Sequence, residues 1–116
     1  MPSLDEWETL AIYLGGNDLA YPKLRENGTS HWDSPNTGAT NESGFTALPA
    51  GIRYDVNGVY IEKGKTTGFW SSEQNNTLNA YIRLIKMGGI NYTNTTIWPK
   101  QSGFSVRCIK DKPGNK

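Results

Sequence analysis

The chain of 116 residues is long enough for one domain with a core and too short for two. Its 35% hydrophobic content is low for a globular protein, but 4 Trp, 6 Tyr and 3 Phe supply an aromatic core, so disorder is expected only at the termini. The net charge is +1 with acidic and basic residues interspersed, which argues against nucleic-acid binding, and no apolar run approaches the roughly 20 residues of a membrane helix.

The first predicted element is a short amphipathic helix over residues 3 to 14. Ser3 as N-cap with Glu6 three residues later makes a capping box, and the pair Gly15-Gly16 provides a stop signal. One apolar stripe at helical spacing consists of Leu4, Trp7, Leu10, Ala11 and Leu14. We therefore expect this helix to pack on the rest of the domain.

Residues 17 to 45 predict a long ordered loop rather than a second helix. Pro22 limits any helical turn that begins after Gly16, and further Gly and Pro residues interrupt the segment. We expect His31-Trp32 and Phe45 to anchor it. His31 is interpreted as a hydrogen-bonding structural residue rather than a metal ligand, because no second His or Cys cluster accompanies it.

The second half of the chain predicts antiparallel strands. Asn57-Gly58 lies between alternating β-formers, which is a strong hairpin signal. The predicted strands are 52–56, 59–63, 68–72, 80–87, 90–98 and a final strand 103–108, with Gly88-Gly89 as one of the turns. The chain is thus expected to be α+β, with a single N-terminal helix, long ordered loops and a C-terminal antiparallel meander.

No catalytic constellation is visible in the sequence. There is no phosphate-binding glycine loop, no nucleophile elbow and no zinc-ligand spacing. The single cysteine, Cys108, is expected to be a buried thiol on the final strand, and the chain offers only His31 as a histidine base for it. We expect a protein that is not an enzyme and needs no cofactor or metal.

Four blocks of sequence carry a resemblance to a known family. They are SLDEWETLAIYLG from Ser3, HWDSPNTGATNESGFTALPAG from His31, GFWSSE from Gly68 and GFSVRCIKD from Gly103. In this order they resemble the Fibrobacter succinogenes major paralogous domain family, which is widespread in Bacteroidetes and related bacteria, mostly in secreted or surface proteins. The resemblance implies a C-type lectin-like fold over residues 1–111, with 112–116 as a disordered tail, and an extracellular, cell-surface or phage-virion location.

Three departures from the family pattern are informative. Family members usually carry a further segment before the Leu-Pro-Ser that here reads Met1-Pro2-Ser3, so the first strand and helix of a lectin-like fold are expected to be missing or supplied differently. The stretch Phe69–Glu73 has one residue fewer than the usual Trp-Trp-Ser-Ser-Thr-Glu. Several positions after Ala80 that are usually Tyr or Asn hold aliphatic residues instead.

The third departure suggests sequence diversification. The resemblance extends to variable proteins of diversity-generating retroelements, in which adenine-specific copying errors replace Asn and Tyr on a fixed scaffold. The Asn/Thr-rich runs 75–79 and 90–96 look like such a region, bounded by Trp70-Ser71-Ser72 and Gly103-Phe104. The alternative interpretation is a solvated sheet edge that is merely rich in Asn and Thr.

We predict one ligand-binding face on this scaffold. The family favours a fixed aromatic residue and a fixed Arg where Tyr81 and Arg83 stand, so strand alternation assigns the opposite side chains to the partner. The predicted ligand-binding residues are Asn75, Asn76, Asn79, Ile82, Leu84, Lys86, Met87, Asn91, Tyr92, Asn94 and Trp98. For Ile82 and Leu84 the alternative is an ordinary core position.

The calcium-site motifs of C-type lectins are absent from the chain, so calcium-dependent sugar binding by that route is not expected. Two functions remain open. The first is a non-enzymatic module of a bacterial or phage surface protein that binds a protein or glycan on another cell or in the extracellular matrix. The second is a structural or adhesin-assembly domain in which the same face packs on a neighbouring domain or subunit, so an oligomer is possible. A relative of the formylglycine-generating enzymes is the least favoured reading.

Overall fold

Two helices open the chain in the computed structural model, which describes residues 1–87 and 93–111. Helix α1 runs over Leu4–Tyr13 and helix α2 over Asn17–Leu24. The predicted α+β class is confirmed, while the prediction of a single helix is wrong. The turn Gly88-Gly89 and the tail 112–116 lie outside the described residues.

The signals at both ends of α1 act as the sequence predicts. Ser3 Oγ accepts from the Glu6 N–H at 3.2 Å, and Glu6 Oε1 accepts from the Ser3 N–H at 2.9 Å, which completes the capping box. Gly15 and Gly16 follow the helix with φ of 109° and 101°, a region that favours glycine. The glycine pair therefore ends α1 and turns the chain directly into α2.

Helix α2 forms despite Pro22 because tertiary contacts support it. Ala20, Tyr21 and Leu24 are buried on one side. The carbonyl of Pro22 accepts from the Thr40 N–H at 2.8 Å, and the carbonyl of Leu24 accepts from the Ala47 N–H at 2.8 Å. The loop after α2 thus satisfies the carbonyls that a helix leaves unpaired at its C-terminus.

The strands form two sheets. Strand β1 is Ile52–Arg53, β2 is Tyr60–Ile61, β3 is Thr66–Gln74, β4 is Asn79–Lys86 and β5 is Thr93–Pro99. Strands β1 and β2 form an antiparallel pair, and the larger sheet has the order β3-β4-β5 with antiparallel neighbours. The predicted meander is confirmed, and the 52–63 hairpin pairs over fewer residues than predicted.

The predicted final strand 103–108 is replaced by isolated bridges. Gly103 pairs with Arg53, and Ser105 pairs in parallel with Phe69 at the outer edge of β3. Residues 106–111 form no strand or bridge, and Cys108 is exposed. The prediction that Cys108 is buried on a strand is therefore wrong, because strand alternation applies only where a strand is present.

The main core lies between the helices and one side of the larger sheet, which we call the helix face. The rings of Trp7, Phe45 and Phe69 pack with centroids 5.5 to 6.0 Å apart, and Ile85 is fully buried beside them. Arg83 lies on the same face and is 2% exposed. Phe45 is thereby confirmed as a loop anchor.

Arg83 joins three elements under the helices. Its guanidinium donates to Glu8 Oε2 on α1 at 3.2 Å, to Thr95 Oγ1 on β5 at 3.1 Å and to Asn17 Oδ1 at the start of α2. Burial lowers the pKa of Arg83, and the Glu8 carboxylate partly offsets this effect. Arg83 is thus part of the scaffold, as predicted.

The long loop after α2 is ordered by buried anchors. Trp32 is 1% exposed, and its Nε1 donates to the Ala47 carbonyl at 2.9 Å. His31 is exposed and its Nδ1 lies 2.9 Å from a Glu26 carboxylate oxygen. The hydrogen-bonding role predicted for His31 is confirmed.

Candidate binding surface

The second side of the larger sheet carries aromatic rings, and we call it the aromatic face. Trp70 on β3 pairs with Ile82 on β4, and Trp98 on β5 pairs with Ala80, so these side chains point to the side opposite the helices. Phe104 approaches from the segment after β5. It packs edge-on against both Trp70 and Trp98, with centroid distances of 5.2 and 5.3 Å.

Tyr54, in the loop between β1 and β2, extends this arrangement. Its ring stacks on Trp98 with an interplanar angle of 16° and a centroid distance of 6.2 Å. Trp70, Phe104, Trp98 and Tyr54 therefore form a continuous series of rings that we call the aromatic row. Each ring is partly exposed to solvent.

A missing side chain makes room for the centre of the row. A Cβ placed on Gly68 would lie 2.5 Å from Phe104 Cδ1, which is closer than two carbon atoms can approach. The absence of a side chain at Gly68 is thus required for the Phe104 ring to pack at this position. In turn, Phe104 bridges the rings on β3 and β5 and crosses above β4, where Ile82 is fully buried.

A cleft of about 500 Å³ adjoins the Trp70 end of the row, and we call it the Trp70 cleft. Apolar atoms come from Trp70, Ala80 and Val106, and polar groups come from the neighbouring strand and turn. The remaining lining residues are Met1, Ser71, Ser72, Glu73, Gln74 and Lys100. A mixed lining of this kind suits a ligand with both apolar and hydrogen-bonding surfaces.

The two charged groups of the cleft are held by neighbouring residues. Glu73 Oε2 accepts from the Leu4 N–H at 2.6 Å, so its carboxylate stabilises the N-terminus of α1. Lys100 Nζ donates to Gln74 Oε1 across the sheet end. Both charged side chains are exposed, so the hydrogen bonds hold them in place while the charges stay in contact with solvent.

A second cleft of about 400 Å³ lies next to the first and shares Lys100 with it. Thr77, Leu78 and Asn79, from the β3–β4 turn and the start of β4, line one side, and Pro99 and Gln101, from the end of β5 and the turn after it, contribute to the lining as well. The two clefts thus lie at the same end of the sheet.

The predicted residues Asn75, Asn76 and Asn79 lie at this end, the first two in the β3–β4 turn and the third at the start of β4. Asn76 Oδ1 accepts from the backbone N–H groups of Leu78 and Asn79 at 2.8 Å each, and Asn75 Oδ1 accepts from the Tyr81 hydroxyl at 3.1 Å. The amide oxygens therefore shape the turn. Asn75 and Asn76 are exposed, and no described residue accepts a hydrogen bond from their amide NH₂ groups.

Other predicted residues are not brought together with these. Ile82 is fully buried beneath the aromatic row, so its assignment as a partner-facing residue is wrong and the core alternative is correct. Met87 packs against the helix-face core rather than beside Leu84 and Lys86, because it is one residue out of phase with them. These assignments fail because the parity of the strand, and what covers each face, is decided by the tertiary fold.

The remaining predicted residues are divided along the sheet. Leu84 and Lys86 are half-buried near the far end of β4, and Lys86 Nζ lies 3.7 Å from a Glu62 carboxylate oxygen. At about 3.3 Å per residue, Lys86 is about 23 Å from Asn79 along the strand. Asn91 and Tyr92 lie outside the described residues, and Asn94 is placed only by its backbone register opposite Leu84.

Trp98 is the predicted residue that the structure places in the aromatic row. The sequence reasoning missed Tyr54, Phe104 and Lys100, which share the same surface. A signal for Phe104 was present in Gly68, since a glycine inside a strand often marks the close approach of another group. No comparable signal marked Tyr54, because its contact with Trp98 joins distant parts of the chain.

No three His, Cys, Asp or Glu side chains group as metal ligands in 1–87 and 93–111. Cys108 lies in a separate groove beside Trp7, Phe45 and Arg107. Over the same described residues, none of the helices is both long enough and apolar enough to cross a membrane.

The fold and this surface define an α+β domain with a helix-covered core on one side of a sheet and a partly exposed aromatic row on the other. The chain belongs to the Fibrobacter succinogenes major domain family, whose model matches residues 1–110. The suspected family is thus confirmed over almost the whole chain. No curated protein and no solved structure matches it.

Proposed function

We propose that this domain is a non-enzymatic ligand-binding module of a bacterial or phage surface protein, built on a C-type lectin-like scaffold. Its ligand is a protein or glycan on another cell or in the extracellular matrix. The aromatic row and the Trp70 cleft form the binding surface. The family membership supports the surface location, since proteins resembling this family are mostly secreted or displayed.

The observation that carries the proposal is the aromatic row itself. Partly exposed rings on a rigid sheet offer a large apolar contact area at low cost in conformational entropy. Tyr54 is 38% exposed while it stacks on Trp98, so the row ends on an accessible ring. The adjoining polar cleft favours a ligand that carries hydroxyl or amide groups, and a sugar ring combines such groups with apolar C–H faces.

The test compares two tyrosines that differ in position. Tyr54→Ala shortens the aromatic row, whereas Tyr13→Ala removes a ring that is 84% exposed on α1. Fluorescently labelled domain is applied to bacterial and mucosal cells, before and after periodate or protease treatment. Periodate-sensitive binding identifies a glycan ligand and protease-sensitive binding identifies a protein.

We expect Tyr54→Ala to weaken cell binding by about tenfold, equivalent to about 1.4 kcal/mol, and Tyr13→Ala to leave it within about twofold. Circular dichroism confirms that both variants are folded. Absence of binding to any cell type, or equal binding by both variants, would contradict the proposal. Self-association that Tyr54→Ala abolishes would instead support the assembly role of the same face.

Diversification of this surface is a further part of the proposal. Within the predicted variable segment, Asn75, Asn76 and Thr77 are exposed in the turn, whereas Ile82, Arg83 and Ile85 are buried and serve the fold. Sequencing of the locus across a source population should therefore find substitutions at template adenines in the exposed positions. An even spread of substitutions over exposed and buried codons would rule diversification out.

A further inference from the structure

The outer edge of β5 is the feature that neither the family nor the binding proposal accounts for. Strand β5 pairs with β4 on one side over Thr93–Pro99. No described residue pairs with its other side. A strand edge of this length presents backbone donors and acceptors that can bind another strand.

The register identifies which backbone groups point outward. The Lys100 N–H donates to the Leu78 carbonyl at 2.8 Å, so these two residues form a hydrogen-bonded pair. Bonded pairs alternate along an antiparallel ladder, which makes Ala80–Trp98 and Ile82–Thr96 the next bonded pairs. The N–H and C=O groups of Thr95 and Ile97 therefore point away from β4.

The opposite edge of the sheet is treated differently. Along β3, the Thr66 carbonyl accepts from the Gly51 N–H, the Trp70 N–H donates to the Ser105 carbonyl, and the Ser72 N–H donates to the Pro2 carbonyl, at 2.8 to 3.1 Å. Three separate segments thus cover one edge, while the described chain covers none of the outward groups of β5.

The side chains of β5 do not oppose the addition of a strand. Protein edges are commonly protected by charged residues or Pro; Thr93–Pro99 carries no charge, and Pro99 is the last residue of the strand, outside the Thr95 and Ile97 pairs. Ile97 is 45% exposed on the helix face, so an added strand would also cover apolar surface. The net charge of the chain is only +1, so two copies repel each other weakly.

We propose that β5 pairs antiparallel with β5 of a second copy of this chain. An antiparallel pair of identical strands is self-complementary and closes with two-fold symmetry. The register that matches the outward groups places Thr95 of each copy opposite Ile97 of the other, so these residues exchange N–H···O bonds. The result is one continuous sheet across two protomers.

This geometry has a consequence for the aromatic rows. Residues directly opposite each other in a ladder point to the same side, so the aromatic faces of both copies lie on one side of the joined sheet. Two binding surfaces on one side favour a multivalent ligand through effective concentration. This consequence rests on the proposed function, whereas the pairing of the strands does not.

The test uses two substitutions at Ile97. Ile97→Pro removes an outward N–H and leaves the bonds to β4 intact, whereas Ile97→Ala shortens the side chain and keeps the N–H. Analytical ultracentrifugation over a wide range of protein concentration should show a dimer for the unsubstituted chain and for Ile97→Ala. The dissociation constant of Ile97→Pro should rise by at least about tenfold.

Hydrogen exchange on the unsubstituted chain gives a second readout that does not depend on a variant folding. The amides of Thr95 and Ile97 should exchange more slowly as the protein concentration rises. A chain that is monomeric throughout, a dimer that Ile97→Pro leaves unchanged, or loss of the dimer in both variants would overturn the pairing. Cell binding by monomeric Ile97→Pro keeps this outcome separate from the fate of the proposed function.

Discussion

At the scale of single residues, local sequence rules predicted the effect of the glycines at the end of α1 but not the effect of the proline in α2. Gly15 and Gly16 end α1 as their lack of a side chain suggests, so a local rule was sufficient there. Pro22 did not end α2, because the helix buries Ala20, Tyr21 and Leu24 on one side and this packing outweighs the local cost of the proline. Gly68 inside β3 signals that another group approaches closely, but only the tertiary structure shows that this group is Phe104.

Gly68→Ala should displace Phe104 from the sheet, because the added Cβ would lie 2.5 Å from the ring. We expect a loss of about 1–3 kcal/mol in the free energy of unfolding, typical of overpacking. Chemical denaturation measures it. In a Phe104→Ala background the same substitution should cost much less, and an equal cost in both backgrounds would show that the ring is not what Gly68 accommodates.

At the scale of elements, polar contacts fix how the helices meet the sheet. Glu73 on β3 binds the first N–H of α1, and the Ser72 N–H binds the Pro2 carbonyl. Lys23 Nζ on α2 donates to the Leu14 carbonyl at 2.9 Å, just after the end of α1. Ser72 and Glu73 thus have a structural role in docking α1.

Glu73→Gln should destabilise the domain modestly, because it removes a negative charge from the N-terminus of α1 while keeping an acceptor. The expected cost is about 0.3–1 kcal/mol at low salt and less at high salt, since the interaction is screened. Thermal unfolding at two salt concentrations measures it. Glu42→Gln, in an exposed loop, is the matched control, and an equal salt-dependent loss there would contradict the role of Glu73.

At the scale of the whole molecule, the sheet separates two aromatic groups with different tasks. Trp7, Phe45 and Phe69 fill the core under the helices. The aromatic row covers the other face, where Ile82 is buried but the rings themselves are partly exposed. Rings that remain partly accessible on the sheet surface are the ones available to a ligand.

Truncation of one ring from each group should show this division. Phe69→Ala leaves a cavity in the main core and should cost about 3–5 kcal/mol of unfolding free energy. Tyr54→Ala removes a ring that is 38% exposed at the end of the row and should cost about 1 kcal/mol or less. Urea denaturation compares them, and similar costs would mean that the row is an ordinary second core.

The sequence by itself determined the family, the α+β class, the capping box of α1 and the antiparallel order of the larger sheet. These depend on local patterns, since caps, turns and alternation act between residues a few positions apart. It also predicted the anchors Trp32 and Phe45, because burying large aromatic side chains of a polar loop is strongly favourable.

Only the tertiary structure decided which face of the sheet is covered, and by what. Ile82 and Met87 were predicted to face a partner and are instead packed, and Tyr54 stacks on Trp98 although the two are far apart in sequence. That residues 1–87 and 93–111 leave the outer edge of β5 uncovered is visible only once the strands have been paired. Burial and edge pairing depend on contacts between remote segments, and a single sequence does not specify those contacts locally.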